Sequence, residues 1–269
     1  MANDKLSFEI LMSCMYQKDF SLVKQSNITT DVLMINQCDE EAAYEEIKDG
    51  RHHRMICNKQ RGLSRSRNLA LENSNADIVL FADNDEEFVD DIEKVVLTAF
   101  QELDADIIAF DLRNYEKGLK KEIHKLHLLE TLKVSSLQIA CKRDAIKRTG
   151  ICFDINLGAG TPNGGGEENK FLWDAYKAGL KIYYYPDYVA TLNSGESTWF
   201  EGFTKDYFFK RGKVTSYYMG TAWAFIYAMY FVFTKYHRYR ENCSFQEAFC
   251  AILRLSLIHI SEPTRHLRI

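Results

Sequence analysis

Apolar positions along this chain cluster into short blocks separated by helical spacing, rather than alternating residue by residue. Phe8–Met12 and Val32–Ile35 are apolar runs of the kind that sheets covered on both faces require, with a helical stretch around Asp19 to Gln25 between them. Met55–Cys57 is a weaker third strand. Ser64–Leu71 has helical spacing with Ser64 placed to cap it. A five-residue apolar run, Ile78–Ala82, follows as an interior strand. Asp91–Leu103 then puts Ile92, Val95, Val96, Ala99 and Leu103 on helical spacing, and Ile107–Phe110 reads as another strand. Strands and helices alternating at this pitch predict an α/β fold with a mostly parallel sheet flanked by helices.

The middle of the chain is less regular. Lys117–Lys125 is basic and reads as solvated surface; His124 and His127 are spaced to share a helix face but lack a third ligand. Asn156–Gly166 is glycine-rich and expected to be mobile. Glu168–Ala178 reads as a helix burying Phe171, Leu172 and Ala175, and Ile182–Tyr185 as a strand stopped at Pro186. From Val214 to Thr234 there is no charged residue, and Lys235, His237, Arg238 and Arg240 follow. That length just suffices to span a bilayer. Its tyrosines and basic flank equally suit an interfacial helix on an anionic membrane, or a buried helix or oligomer contact. The three readings stay open. The expected division is 1–212 as the α/β domain and 213–254 as an aromatic-rich helical region. Residues 255–269 are expected to be a non-native tail, because Leu255–Arg265 looks like the conceptual translation of a sequencing adaptor; an ordinary short amphipathic end is the alternative.

Composition narrows the function classes. With 46% hydrophobic and 27% charged residues over 269 positions, the chain is globular and long enough for a large core or two lobes. A net charge of −4 without a broad basic excess argues against a nucleic-acid partner. Seven cysteines without a C-x-x-C pair point to buried, reduced thiols rather than a metal cage or disulfide framework. No secretory signal pattern opens the sequence, so a cytoplasmic location is expected, at the inner face of the plasma membrane if the interfacial reading holds.

Candidate chemistry centres on Asp83-Asn84-Asp85, directly after the apolar run. Strand ends of α/β sheets are where ligands bind, and two carboxylates there must face water or hold a cation. Oxygen-only ligands at this density suit Mg²⁺ or Mn²⁺, and a solvated Asp/Asn turn is the alternative. Acidic residues Glu167 and Glu168 open the later helix, where helix charge alone already favours them.

Three segments in order resemble a family-2 glycosyltransferase of the GT-A fold: Gly62–Asn68 as its Gly-x-Ser-x-x-Arg-Asn segment, Asp83–Asp85 as its DxD motif, and Gly166–Glu168 as the acidic pair that supplies the acceptor base. The resemblance covers roughly residues 7 to 200. It implies that 1–212 is the catalytic domain of a metal-dependent inverting enzyme. Such an enzyme would move one sugar from a nucleotide-diphosphate sugar to a glycan or lipid-linked acceptor in bacterial surface polysaccharide assembly. Asp85, with Asp83, would hold Mn²⁺ or Mg²⁺. Glu168 would be the base, with Glu167 the close runner-up. Tyr16, Asn36, Gln37, Asp39, Arg65, Arg67, Asn68, Asp83 and Asn84 would serve the donor. Peripheral membrane contact would follow from the interfacial reading of Val214–Thr234.

The sequence also departs from the family pattern. Cys14-Met15-Tyr16-Gln17 keeps only the tyrosine of a Pro-x-Tyr-Asn turn, and Asn36-Gln37-Cys38-Asp39 stands where paired aspartates are usual. No Gln-x-x-Arg-Trp follows the acidic pair, which points to single-sugar addition. Glu196–Phe200 could supply an aromatic platform for a sugar ring, with a core tryptophan as the equal alternative. The competing functions are a nucleotidyltransferase, whose glycine-rich phosphate loop is missing, and an inactive nucleotide-sugar-binding subunit.

Overall fold

A computed structural model describes residues 6–115, 118–193 and 202–254. The chain divides into two compact units, Met1–Gly195 and Glu196–Ile269, a division earlier than the 212/213 boundary suggested by patterning. The expected tail and the Glu196–Phe200 platform lie outside the described residues.

Unit 1 runs β1 (Phe8–Met15), α1 (Ser21–Gln25), β2 (Asp31–Gln37), β3 (Ala42–Lys48), β4 (Arg51–Asn58), α2 (Leu63–Asn73), β5 (Ile78–Ala82), β6 (Glu86–Phe88), α3 (Ile92–Glu102) and β7 (Ile107–Arg113). It continues with β8 (His124–Lys125), β9 (Ile139–Lys142), α4 (Arg143–Thr149), α5 (Glu167–Lys177) and β10 (Ile182–Leu192). One sheet holds all ten strands in the order β3-β4-β2-β1-β5-β9-β7-β10-β6, with β8 paired to β10. The block β4-β2-β1-β5 is parallel, as is β7 with β10. Strand β9 enters antiparallel between β5 and β7, and β3 and β6 close the two edges antiparallel. The sheet is therefore mixed.

Side-chain parity explains the near-continuous apolar strands. Ile10, Met12, Val32, Met34, Ile78 and Leu80 pack on one face with Leu22 of α1 and Val96 and Phe100 of α3. Leu11, Leu33, Ile35, Val79 and Phe81 pack on the other with Ala70 of α2, Ala145 of α4 and Phe171, Leu172 and Ala175 of α5. Each strand residue is thus buried whichever way it points.

Several local expectations are corrected. Strand β10 passes through Pro186; register shifts between Tyr184 and Tyr188 absorb the missing donor as a bulge. Gly62, at φ +118°, occupies the cap position of α2, and Ser64 lies inside the helix. His124 belongs to β8 and His127 lies beyond it, so the two share no helix face. The Val214–Thr234 stretch is cut at Gly220, and no described helix is long and apolar enough to cross a membrane.

Unit 2 comprises α6 (Lys205–Met219), α7 (Thr221–Thr234), α8 (Tyr236–Tyr239) and α9 (Phe245–Leu253). Thr204 caps α6, accepting from the Tyr207 amide, and a Ser244/Glu247 capping box starts α9. Lys205 reaches Glu247 at 2.7 Å, tying the two helix starts together. Arg211 sits 4.5 Å over the Phe231 ring and donates from Nε to the Tyr227 hydroxyl at 2.9 Å.

Candidate active site

The C-terminal end of β5 delivers Asp83 into a turn that is pinned on both sides. The Asp83 amide donates to Glu86 Oε2 at 2.9 Å, and the Asn193 amide donates to the Asp85 carbonyl at 3.0 Å. Helix α2 brings Arg67, 1% exposed, against this turn. Arg67 Nη2 lies 3.2 Å from both Asp83 carboxylate oxygens, and Nη1 donates to Glu167 Oε1 at 3.0 Å. The guanidinium also lies 5.5 Å over the Phe153 ring, which stacks on Phe171 of α5.

Arg67 therefore joins the end of β5 to the first turn of α5. Burial alone would pull its charge down, but Asp83, Glu167 and Glu168 push it up. One guanidinium cannot neutralise three carboxylates. Burial, then the Glu168 charge, lifts the Glu167 carboxyl to about 8 against the pull of Arg67. With Asp83 already countering Arg67, Glu167 is the supernumerary acid. Glu168, next to it, is partly exposed.

The loop before α5, despite its glycines, is tied to α2 and to itself by hydrogen bonds. Ser64 Oγ donates to the Leu157 carbonyl at 2.8 Å, the Leu63 amide donates to the Ala159 carbonyl at 3.1 Å, and Asn163 Nδ2 reaches the Asn156 carbonyl at 2.8 Å. Gly158 is needed here: its φ is +95°, and a Cβ would lie 3.1 Å from both Glu167 Cδ and Ser64 Oγ. The loop fixes where Glu167 sits.

Asp85 faces solvent, yet the protein around its carboxyl strips part of its hydration, and that desolvation, followed by the Asp83 charge, holds the group above the usual range. Glu86, which the sequence reading missed, is buried, with its carboxyl pushed well up by that burial and no hydrogen-bond partner on Oε1. Its signal was the alternation with Phe88 in β6, both buried. No third carboxylate closes on Asp83 and Asp85 as tightly as the one trio found among the described residues, Cys38, Glu40 and Cys57. An oxygen-only pair in which Arg67 engages Asp83 and not Asp85 suits Mg²⁺ or Mn²⁺, which take one or two carboxylates plus substrate phosphates.

The expected donor residues fall into two groups. Tyr16, at φ +53°, is exposed; its hydroxyl accepts from Arg61 Nη2 at 3.1 Å, and the same nitrogen donates to Asp39 Oδ1 at 2.6 Å. Arg61 was not anticipated, because only tertiary contacts reveal it. Asn84 and Arg65 stand exposed. Asn36, Gln37 and Asn68 are instead engaged by the protein. Asn36 bonds both main-chain groups of Gln17, Gln37 Oε1 accepts from the Gly62 amide at 2.8 Å, and Asn68 bonds both main-chain groups of Phe153. They brace the loops that shape the cleft.

A family model described as glycosyl transferase family 2 matches residues 20–154. Among solved structures, residues 1–349 of S. aureus TarS in complex with UDP-GlcNAc align with 16% identity and a TM-score of 0.60, over 88% of this chain and 74% of that one. The same fragment with UDP gives 14% identity and 0.62, over 94% and 81% respectively. Against the longer S. aureus TarS chain, identity is 15% and TM-score 0.59, and 45% of that chain is covered. No curated protein matches. At these identities the structural likeness establishes a shared GT-A fold.

Proposed function

Because the chain belongs to glycosyltransferase family 2, we propose that it is a metal-dependent inverting enzyme that passes one sugar from a nucleotide-diphosphate sugar to an acceptor hydroxyl. The observation that carries this reading is Arg67, which bridges the aspartate-ended strand and the acidic start of α5. Asp85 and Asp83 would hold Mn²⁺ or Mg²⁺, which when bound supplies Lewis-acid neutralisation of the departing diphosphate. Glu168 takes the proton of the acceptor hydroxyl, whose oxygen forms a bond to the anomeric carbon. The bond from that carbon to the diphosphate oxygen breaks on the opposite face, which inverts the configuration. Glu167 and Arg67, both buried, are assigned to holding Glu168 and Asp83 in register, in place of the runner-up base and donor-binding roles that the resemblance implied.

The acceptor is proposed to be a glycan or lipid-linked saccharide of a bacterial surface polysaccharide, met in the cytoplasm at the membrane face. On α7, Trp223, Ile226, Tyr230 and Phe233 are exposed at helical spacing, and exposed Arg238 and Arg240 follow. Because the TarS structures hold UDP and UDP-GlcNAc, UDP sugars are the first donors to assay. With Mn²⁺ and a panel of them, the wild-type chain should release UDP. Asp85→Ala should abolish release, and Glu168→Gln should slow transfer about 10²- to 10⁴-fold while leaving UDP binding intact. Full activity in either variant would refute the assignment.

A further inference from the structure

The C-terminal ends of β2 and β4 gather a second, chemically different cluster. One ligand atom each from Cys38, Glu40 and Cys57 lies within 4.8 Å of the other two. Cys38 and Cys57 are 7% and 2% exposed, whereas Glu40 faces solvent. Both strand ends are held in place: Cys57 pairs with Asn36 in the β2–β4 register, and the Cys38 amide donates to the Asn58 carbonyl at 3.0 Å.

Two further contacts separate this cluster from ordinary buried thiols. Asn36 Nδ2 donates to Cys57 Sγ at 3.3 Å, and the Tyr44 hydroxyl donates to Glu40 Oε1 at 3.4 Å. Donors of this kind, on the atoms that would carry negative charge, are the supporting contacts that orient metal ligands. Size also agrees. Zinc–sulfur bonds of about 2.3 Å in a tetrahedron set ligand atoms about 3.8 Å apart, so closing the trio on a cation takes a shift of about an ångström. Thiolates select zinc-like cations over Mg²⁺ and Mn²⁺, which separates this cluster from Asp83 and Asp85.

We propose that Cys38, Cys57 and Glu40 form a three-ligand site for a thiophilic divalent cation of the zinc class, with water in the fourth position. The two thiols lose their protons to solvent as the cation binds. Glu40 supplies the entry path, being the ligand that faces water. The cation would tie the segment after β2 to the end of β4. That segment carries Asp39, which Arg61 links to Tyr16, so occupancy stiffens one wall of the proposed donor cleft. The cation site does not depend on the transferase reading.

Cobalt(II) titration of the whole chain, stripped of metal and kept reduced by a thiol-free phosphine, tests this directly. One equivalent should produce thiolate-to-cobalt charge-transfer absorption in the near ultraviolet, and zinc should remove it. Cys38→Ser and Cys57→Ser should lose the band. Glu40→Gln, at an exposed position that leaves folding intact, should weaken cobalt binding at least tenfold, the lower bound for losing even a supporting partner. The double variant Asp83→Asn, Asp85→Asn should keep the band. Absence of the band in fully reduced wild-type protein would overturn the proposal. So would its persistence without both cysteines, or unchanged affinity in Glu40→Gln.

Discussion

Arg67 and Glu167 set the chemistry of the cleft at the scale of single side chains. A buried guanidinium facing several carboxylates leaves one acid in excess, and burial with the Glu168 charge has lifted that acid to about 8. A carboxyl raised in the folded state binds its proton more tightly there than in the unfolded chain. Its contribution is therefore full below the unfolded value of 4.5 and is lost as pH rises through about 8. Wild-type urea midpoints should fall from pH 5 to pH 8.5, and Glu167→Gln should flatten part of that decline. An identical slope in the variant would remove Glu167 from this role. That Asp83 and Glu167 meet at one arginine follows the motif order of the sequence, because order and spacing survive in one dimension. Glu86, Arg61 and the Ser64–Leu157 contact were not legible, since partners distant in the chain define them.

Secondary-structure elements were legible where apolar runs were long. Strands β1, β2, β5 and β7 and helices α3 and α5 stand where block patterning puts them, within a few residues at either end. Edge strand β3 was missed because half-exposed charged strands lack an apolar run, although the Asp49-Gly50 turn joining it to β4, both residues at positive φ, was a readable hairpin signal. Strand β10 was cut short because proline usually ends a strand, and only the bulge shows why this one does not. Between α6 and α7, Gly220 adopts φ 78° and ψ 162°, a conformation essentially reserved for glycine. Gly220→Ala should lower the stability of unit 2 by about 1–3 kcal/mol, read as a reduced thermal midpoint. Because no neighbour lies within 4 Å of an added Cβ, the loss would be a backbone effect rather than a clash.

At the level of the whole molecule, the outward stripe of α7 and the basic residues after it predict weak binding to anionic bilayers. Each Lys or Arg near such a surface contributes about 1 kcal/mol, and salt screens it. Co-sedimentation with phosphatidylglycerol vesicles should decline steeply with salt and fail for Trp223→Ser with Tyr230→Ser; equal binding to neutral vesicles would contradict the electrostatic part. The sheet in unit 1 raises a separate matter of solubility. Its outermost strand, β3, leaves unpaired main-chain groups along one margin, which is how chains polymerise through strand addition. Glu45, Glu46 and Lys48 line that margin, with His52 and His53 of the neighbouring strand paired to the two glutamates at 3.3 and 3.0 Å. A second copy docking there would have to strip water from that fringe of charge, so crowded solutions of this enzyme should resist fibril growth from its most vulnerable border.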